Sequence, residues 1–382
     1  MNDTIPLCAE TEKARGRKRR ANTPQRKRGR ESDTSALTPT QYLLKSEIGA
    51  TMNSQSSERM NTESPAIKEI YFAGGCFWGT EKFFRAIPGV IDVTVGYAQG
   101  DVLEAPTYEQ VCSGSTGCRE AVKVRYDEKA ISLDALVLAF FHIIDPTLQN
   151  QQGNDVGKQY QTGIYYSDPA DAVSINKIMA IEKTLHHPFA VESSELMHFY
   201  LAEEYHQNYL EKNPLGYCHI SSREFQELQD VLNGARGRGA SFDHALKDAF
   251  GPLEYRVTQM DETEAPYSNK YADESHRGLY VDITTGEPLF TSDNKYHSSC
   301  GWPAFTKAID DSSITQHVDT SHGMTRTEVR SAKGDAHLGH VFSGDLESPN
   351  GTRYCINSAS LKFVPFENLE KEGYGEYRKL FE

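Results

Sequence analysis

Two cysteines lie in surroundings that could carry nucleophilic sulfur chemistry. The first is in Gly74-Gly75-Cys76-Phe77-Trp78-Gly79, and the second is in Arg353-Tyr354-Cys355-Ile356-Asn357. Aromatic and polar residues flank both, and each half of the chain holds a second, distant cysteine, Cys218 or Cys300. Because the thiolate is the reactive form of cysteine, both segments are candidate redox sites.

Cys76 follows two glycines where a strand-like segment, Ile67 to Phe72, meets a helical one, Cys76 to Ala86. The partial positive charge of a helix N-terminus stabilises a thiolate, so the position predicts a lowered pKa for the Cys76 thiol. Phe77 and Trp78 could form an apolar wall beside the sulfur. The alternative is a buried cysteine in an aromatic core, although the two glycines suit a core strand poorly.

The first half resembles the A-type methionine sulfoxide reductases over Ile67 to Ser222. The matching blocks are Gly74 to Gly79, Pro106 to Val111, Thr116-Gly117, Glu120 to Val122, Asp145 to Thr147, Gln152 to Tyr160 and Asn213 to Ile220. Together with alternating strand and helix patterns, this resemblance implies an α/β (α+β) domain.

The resemblance also implies a role for each residue of the first site. Cys76 would attack the sulfoxide sulfur and become a sulfenic acid, and Cys218 would then form a disulfide with it. Glu120 would donate a proton to the sulfoxide oxygen. The implied substrate-binding residues are Phe77, Trp78, Tyr108, Asp155 and Tyr160.

One short segment departs from the A-type pattern. The family usually has Thr-Gly-His-Ala-Glu, whereas this chain has Thr116-Gly117-Cys118-Arg119-Glu120. Arg119 would lower the pKa of Glu120 if their side chains met. Because adjacent residues of a strand point to opposite faces, we expect a small effect. We expect Cys118 to be a small packing residue.

In the second half, Cys355 is accompanied by His337, His340 and Cys300. Two histidines and two cysteines raise the alternative of a metal site, but their spacing departs from that of common zinc sites. A histidine pair is better suited to activating a thiol and delivering protons.

This half resembles the B-type methionine sulfoxide reductases over Leu253 to Phe366. The matching blocks are Tyr255 to Gln259, Gly286 to Phe290, Cys300 to Pro303, Arg326 to Ser331, His337 to Phe342 and Arg353 to Phe363. The implied roles are nucleophile for Cys355, recycling cysteine for Cys300, proton donors for His337 and His340, and substrate binding for Trp302 and Asn357. Many relatives bind zinc through two Cys-x-x-Cys pairs, which this chain lacks, so it resembles the zinc-free branch.

The order of an A-type half and then a B-type half resembles known bifunctional fusions. That resemblance implies reduction of the S-sulfoxide by the first half and of the R-sulfoxide by the second, in free methionine sulfoxide or in oxidised proteins. It implies thioredoxin as the reductant and neither a metal nor another cofactor. Two alternatives stay open at this point: a chain in which only the B-type half is fully active, and a metal- or nucleic-acid-binding protein.

The predicted organisation has four parts. They are a disordered basic tail over 1–66, an A-type domain over 67–225, a Gly-rich linker over 226–251 and a mainly-β B-type domain over 252–382. The tail contains a basic run, Lys13 to Arg30, which suits a nuclear-localisation or nucleic-acid-binding arm, a solvated tail, or a stretch upstream of the true start.

Composition narrows the class of protein. A formal net charge of −14 argues against general nucleic-acid binding. The chain shows no apolar run long enough to span a membrane and no signal peptide. Seven cysteines without a secreted framework favour a reducing cytoplasm, where cysteine pairs are more often catalytic than structural.

Overall fold

The computed structural model describes residues 66–382, apart from the side chain of residue 322. The predicted tail over 1–66, with its basic run, therefore lies outside the described residues except for Ala66. The domain boundaries given above remain predictions.

A six-stranded sheet organises the first half, in the order β7-β6-β1-β3-β2-β8, and only the β6–β7 pair is parallel. Its strands are β1 (Ile67–Ala73), β2 (Val90–Ala98), β3 (Arg119–Asp127), β6 (Gly163–Tyr166), β7 (Glu192–Glu195) and β8 (Phe199–Leu201). A two-residue hairpin joins β4 (Gln151–Gln152) to β5 (Asp155–Val156). The helices are α1 (Phe77–Arg85), α2 (Tyr108–Cys112), α3 (Leu133–His142), α4 (Asp171–Leu185) and α5 (Tyr209–Lys212).

The end of β1 is held rigidly, and this fixes where α1 begins. Phe72, which is fully buried, stacks on Phe84 of α1 with ring centroids 4.7 Å apart and on Phe140 of α3 at 5.0 Å. The sequence predicts that Ser132 caps the apolar helix that follows it, and the structure confirms this, because the Ser132 hydroxyl accepts a hydrogen bond from the Ala135 amide at the start of α3. The predicted strand-to-helix junction at Cys76 is thus confirmed.

The sequence pattern predicts a helix from Phe199 to Lys212, and this prediction is wrong over most of its length. Phe199–Leu201 is instead β8, which pairs with the edge of β2, and only Tyr209–Lys212 is helical. The free edge of β2 supplies backbone partners that outweigh the local helical pattern. The turns between β8 and α5 carry Glu203 and His206 toward the first site.

The stretch predicted as a linker, 226–251, is helical. It forms most of α6 (Ser222–Arg238) and α7 (Phe242–Phe250), and Leu228 and Leu232 are buried. Asp243 accepts hydrogen bonds from the amide and hydroxyl of Ser132 at 2.8 and 2.6 Å. The connection between the halves is therefore packed against α3.

The second half contains a three-stranded sheet, β10-β9-β17, and a six-stranded one, β11-β12-β16-β15-β14-β13, whose pairs are antiparallel. The strands are β9 (Gly278–Asp282), β10 (Pro288–Thr291), β11 (Lys295–Tyr296), β12 (Ala304–Phe305), β13 (Ile314–Asp319), β14 (Arg326–Ser331), β15 (His337–Ser343), β16 (Thr352–Ile356) and β17 (Leu361–Pro365). A buried core of Tyr280, Phe290, Phe305, Leu338 and Ile356 lies between the sheets. The predicted mainly-β texture is confirmed.

The sequence pattern also predicts a strand at Tyr255 to Gln259, which is wrong, because this segment lies in α8 (Leu253–Met260). Tyr255 is buried, and its hydroxyl donates to the Asp134 carboxylate of α3 at 2.7 Å. Lys177 of α4 also donates to the Gly334 carbonyl at 2.7 Å. The helix thus belongs to the contact between the two halves, which the local pattern could not show.

Among residues 66–382, no helix combines the length and the apolar character needed to cross a bilayer.

Candidate active sites

The first site is built around Cys76, the N-cap residue of α1, which is 5% exposed. Gly75 before it has φ +85°, and a Cβ there would come within 2.7 Å of Gln152. A side chain at this position would therefore be strained by both the backbone and the space available. Gly74 and Gly75 thus allow the backbone before Cys76 to pass close to the side chains of Thr80 and Gln152.

The predicted low pKa of Cys76 is wrong. Burial raises the pKa of the thiol well above its ordinary value, and the nearby acids Glu120 and Asp155 raise it further. A backbone hydrogen bond from Trp78 acts in the opposite direction. The helix N-terminus is present, but desolvation of the sulfur outweighs its effect.

Glu120 lies on β3 beside this cysteine and is 1% exposed. Its Oε2 accepts a hydrogen bond from the Phe77 amide at 3.2 Å, while Oε1 has no hydrogen-bond partner among residues 66–382. Burial, followed by the charge of Asp155, raises the pKa of Glu120 to about 8. The carboxyl is therefore mostly protonated at neutral pH and can act as an acid.

Three predicted binding residues surround this acid. Tyr108, Tyr160 and Asp155 are all buried, and the charges of Glu120 and Cys76 contribute to the raised pKa of both tyrosines, after burial itself. Burial also raises the pKa of Asp155, and a hydrogen bond from Tyr217 lowers it. The structure thus brings together the groups that the sequence comparison assigned to this site.

Phe77 and Trp78 are each 1% exposed and form a packed aromatic wall. The Trp78 ring stacks on Tyr209 at 3.7 Å, and its Nε1 donates to His206 Nδ1 at 3.1 Å. Burial lowers the pKa of His206 to about 4, so this ring is a neutral acceptor. The wall is held in place by hydrogen bonding as well as by stacking.

Cys218, the expected recycling cysteine of this half, lies close to the first turn of α1. A Cβ placed on Gly79 would come within 2.9 Å of Cys218 Sγ, so only glycine leaves room for the sulfur. His219 follows, and its Nε2 is 2.8 Å from the Gly74 carbonyl oxygen. The ring therefore anchors the Cys218 segment to the glycines before Cys76.

The unusual residues Cys118 and Arg119 do not account for the pKa of Glu120. Arg119 forms an ion pair with Glu192 of β7, in which Arg119 Nη2 is 2.9 Å from Glu192 Oε1. Cys118 is buried, with its thiol 3.1 Å from the Gln99 carbonyl oxygen. The expectation that Arg119 points away from Glu120 is confirmed.

The second site centres on two sulfur atoms that lie 3.6 Å apart, Sγ of Cys355 on β16 and Sγ of Cys300. The thiol of Cys355 donates to Cys300, which lowers the pKa of Cys300 to about 5 and raises that of Cys355. Of the two thiols, Cys300 is therefore the one that ionises more readily. The sequence predicted an activated Cys355 and did not indicate that the pKa of Cys300 would be the lower of the two.

Carboxylates hold both histidines of the second site. His337 Nδ1 is 2.6 Å from Glu328 Oε1, and His340 Nε2 is 2.7 Å from Asp319 Oδ2. His337 Nε2 is buried and has no hydrogen-bond partner in the described part of the chain. Burial lowers the pKa of His340, although its bond to Asp319 acts in the opposite direction.

A cavity of about 90 Å³ opens beside Cys355. Its lining residues are Thr263, Trp302, Arg326, Gly339, His340, Phe342, Cys355 and Asn357. The predicted binding residues Trp302 and Asn357 therefore face the same space as the sulfur, and His340 does too.

Glu264 is hydrogen-bonded to Trp302 and Asn357, which line this cavity, although the sequence analysis missed it. Its carboxylate accepts hydrogen bonds from the backbone amides of Ser358 and Ala359, directly after Asn357. Its main-chain carbonyl accepts from Trp302 Nε1 at 3.1 Å. Glu264 is 5% exposed, and burial raises its pKa to about 7.

Other residues that sequence reasoning missed fall into two groups. Tyr217 and His219 adjoin Cys218 and could have been noticed from that position. The remaining ones come from distant segments without a local signal: Glu203, His206, Asp319 and Glu328.

Comparison with known proteins matches the two halves separately. Residues 68–233 match the family model described as peptide methionine sulfoxide reductase, and residues 250–365 match that of the SelR domain. Mxr1 from Saccharomyces cerevisiae in reduced form is 39% identical over 41% of this chain and 91% of that chain, with a TM-score of 0.39. Methionine sulfoxide reductase A of Corynebacterium diphtheriae is 34% identical over 41% and 79%, with a TM-score of 0.36. Mxr1 in complex with Trx2 is 28% identical over 40% and 91%, with a TM-score of 0.27.

Proposed function

Because the chain is a methionine sulfoxide reductase in which an A-type half precedes a B-type half, we propose that each half reduces one epimer of the sulfoxide. The first half takes the S-sulfoxide and the second takes the R-sulfoxide. Oxidation of methionine produces both epimers, and one chiral pocket cannot position both oxygens for reduction. The chain is an oxidoreductase, and its substrates are free methionine sulfoxide and oxidised proteins.

In the first half, the thiolate of Cys76 attacks the sulfoxide sulfur. Glu120 gives its proton to the oxygen, methionine leaves, and the oxygen remains on Cys76 as a sulfenic acid. Cys218 then attacks this sulfur, water leaves, and a Cys76–Cys218 disulfide forms. Phe77 and Trp78 bind the methyl group, while Tyr108, Tyr160 and Asp155 orient the oxygen.

The observation that carries this proposal is the state of Glu120. A sulfoxide oxygen leaves only when it is protonated. Glu120 is a buried acid whose pKa is raised to about 8, so it still carries its proton at neutral pH. A protonated Glu120 also removes one negative charge from beside Cys76, which favours the thiolate.

In the second half, Cys355 is the nucleophile and Cys300 is the recycling cysteine. Cys355 attacks the sulfoxide sulfur as a thiolate, with its proton passing to solvent, and Cys300, 3.6 Å away, later attacks the sulfenic acid and displaces water to form the disulfide. Each histidine has one ring nitrogen held by a carboxylate, which leaves the other nitrogen to deliver a proton. Trp302 binds the methyl group, and Asn357 orients the substrate.

The ion pair of Arg119 with Glu192 favours two working halves over a chain in which only the B-type half is active. The disulfides are reopened by thiol–disulfide exchange, for which we propose thioredoxin. Cys218 and Cys300 are both partly exposed, so an external thiol can reach them. Mxr1 of S. cerevisiae has been solved in complex with Trx2. We place the enzyme in a reducing cytoplasm, and its cycle uses thiols and no metal.

The test is an assay of each pure epimer with dithiothreitol, on the wild type and on Cys76→Ser and Cys355→Ser. We expect Cys76→Ser to lose only S-sulfoxide reduction and Cys355→Ser to lose only R-sulfoxide reduction. Cys118→Ser, which alters a buried cysteine whose thiol contacts the Gln99 carbonyl oxygen, should keep both activities. If both cysteine variants retain both activities, the proposal is wrong.

A further inference from the structure

Three metal-ligating side chains from separate segments converge beside α1. They are Cys76 at its N-cap, Asp155 on β5 and His219 after the recycling cysteine, and one ligand atom of each lies within 4.8 Å of the other two. A tetrahedral zinc ion at ordinary bond lengths of about 2.0 to 2.3 Å needs ligand atoms about 3.3 to 3.8 Å apart. On binding, the ligand atoms would therefore move closer together by up to about 1.5 Å.

Two of these three side chains each have a buried atom without a hydrogen-bond partner in the described part of the chain. Asp155 is 3% exposed, and its Oδ2 finds no partner among the described residues. The same is true of His219 Nδ1, although Nε2 of that ring is fixed on the Gly74 carbonyl oxygen. A buried carboxylate oxygen without a donor is costly, and a cation would remove the cost.

The donor types in the cluster suit a cation as well. Asp155 supplies a carboxylate oxygen beside the Cys76 sulfur, whereas Glu120, which is mostly protonated at neutral pH, adds little charge. His219 offers an imidazole nitrogen as the third ligand. Thiolate, carboxylate and neutral imidazole together form a donor set that zinc(II) accepts.

We infer that the reduced A-type site binds one zinc(II) ion through Cys76 Sγ, an Asp155 oxygen and a His219 nitrogen, and that this ion blocks the reaction of the first half. Binding displaces the thiol proton of Cys76 to solvent and forms a sulfur–metal bond. The inhibitory part rests on the proposed role of Cys76 as nucleophile, whereas the binding does not.

The redox state should control this site. A Cys76–Cys218 disulfide removes the thiolate ligand, so an oxidised A-type half would release the ion. Reduction by an external thiol would restore the site. Metal occupancy would therefore report the redox state of the first half.

The experiment uses the full chain with Cys300→Ser and Cys355→Ser, so that the second pair of sulfurs cannot bind metal. The chain is reduced with a phosphine and titrated anaerobically with zinc(II) alone, against a chromophoric chelator. We expect one tight site, which disappears on adding Cys76→Ser and after formation of the Cys76–Cys218 disulfide. Adding His219→Gln should weaken the site at least tenfold, and adding Cys118→Ser should leave it intact.

Circular dichroism of each variant establishes that it is folded. Unchanged zinc affinity in folded Cys76→Ser, or in the disulfide form, would overturn the inference. A single turnover of S-sulfoxide by the pre-reduced chain, with and without zinc(II), separates the two claims. Binding without any S-sulfoxide activity refutes only the proposed function, whereas activity without a Cys76-dependent site refutes only the inference.

Discussion

Replacing Glu120 with glutamine should make the first half inactive and the protein more stable. The variant keeps the shape of the side chain but cannot donate a carboxyl proton. General acids contribute roughly 10²- to 10⁴-fold to rate, so kcat for the S-sulfoxide should fall by about that factor. R-sulfoxide reduction should stay within twofold of wild type, because the second site uses other groups.

The stability gain follows from the direction of the pKa shift. Glu120 has an ordinary pKa of 4.5 when the chain is unfolded and about 8 when it is folded. A group whose pKa is raised on folding contributes stability that is lost as pH rises from the lower value through the higher one. At about 1.4 kcal/mol per pH unit, wild type should lose about 2 to 3 kcal/mol relative to the Glu120→Gln variant between pH 5 and pH 7.

The same pKa predicts how activity depends on pH. Glu120 with a pKa of about 8 is about 90% protonated at pH 7 and about 10% protonated at pH 9. Measured relative to Glu120→Gln, in which the Cys76 thiol also ionises as pH rises, the S-sulfoxide kcat of wild type should therefore fall about ninefold over this range, if the chemical step limits the rate. Single-turnover reduction from pH 6 to pH 9 measures this fall directly.

Glu182 provides a matched control for both effects. It is also a buried glutamate, 5% exposed, with a pKa that burial raises to about 7, but it lies on α4 away from either site. Urea unfolding at pH 5 and pH 7 should show a similar gain in stability for Glu182→Gln, with both activities retained. If Glu120→Gln keeps S-sulfoxide activity within tenfold of wild type, or gains no stability between pH 5 and pH 7, the reasoning about this acid is refuted.

Three further variants test the second site and the contact between the halves. Cys300→Ser should still release one methionine per chain from the R-sulfoxide but stop at the sulfenic acid; mass spectrometry that instead finds a disulfide at Cys355 would contradict its role. Glu264→Gln, which weakens the acceptor for two backbone amides, should lower kcat/KM for the R-sulfoxide about tenfold and leave the S-sulfoxide unchanged; equal losses for both epimers would point to general unfolding. Tyr255→Phe removes the hydrogen bond to Asp134 and should cost about 1 kcal/mol in urea unfolding with both activities kept, and an unchanged unfolding midpoint would argue against that contact.

Local signals in the sequence were sufficient for several elements. The strand before Cys76, the helix after it and the Ser132 cap depend on neighbours a few residues away, so alternation and capping rules identify them. The local composition singled out Cys76 and Cys355, and the family resemblance of the motifs added Glu120 and Cys300 before any distance was known.

Local reasoning failed where partners come from distant segments. Phe199 to Leu201 has a helical pattern, yet the free edge of β2 recruits it as a strand. Tyr255 reads as part of a strand, yet its helix packs between the halves with its hydroxyl on Asp134. Glu264 has no local signal, because its partners are amides more than 90 residues away.

The sequence by itself determined which chemical groups are available, since residue types and motif order do not depend on folding. Only the tertiary structure decided their protonation, because desolvation acts through every neighbour that excludes water. Cys76 shows the difference: its place at a helix N-terminus predicted a low pKa, and burial beside two acids raised it. Glu120 is an acid at neutral pH for the same reason.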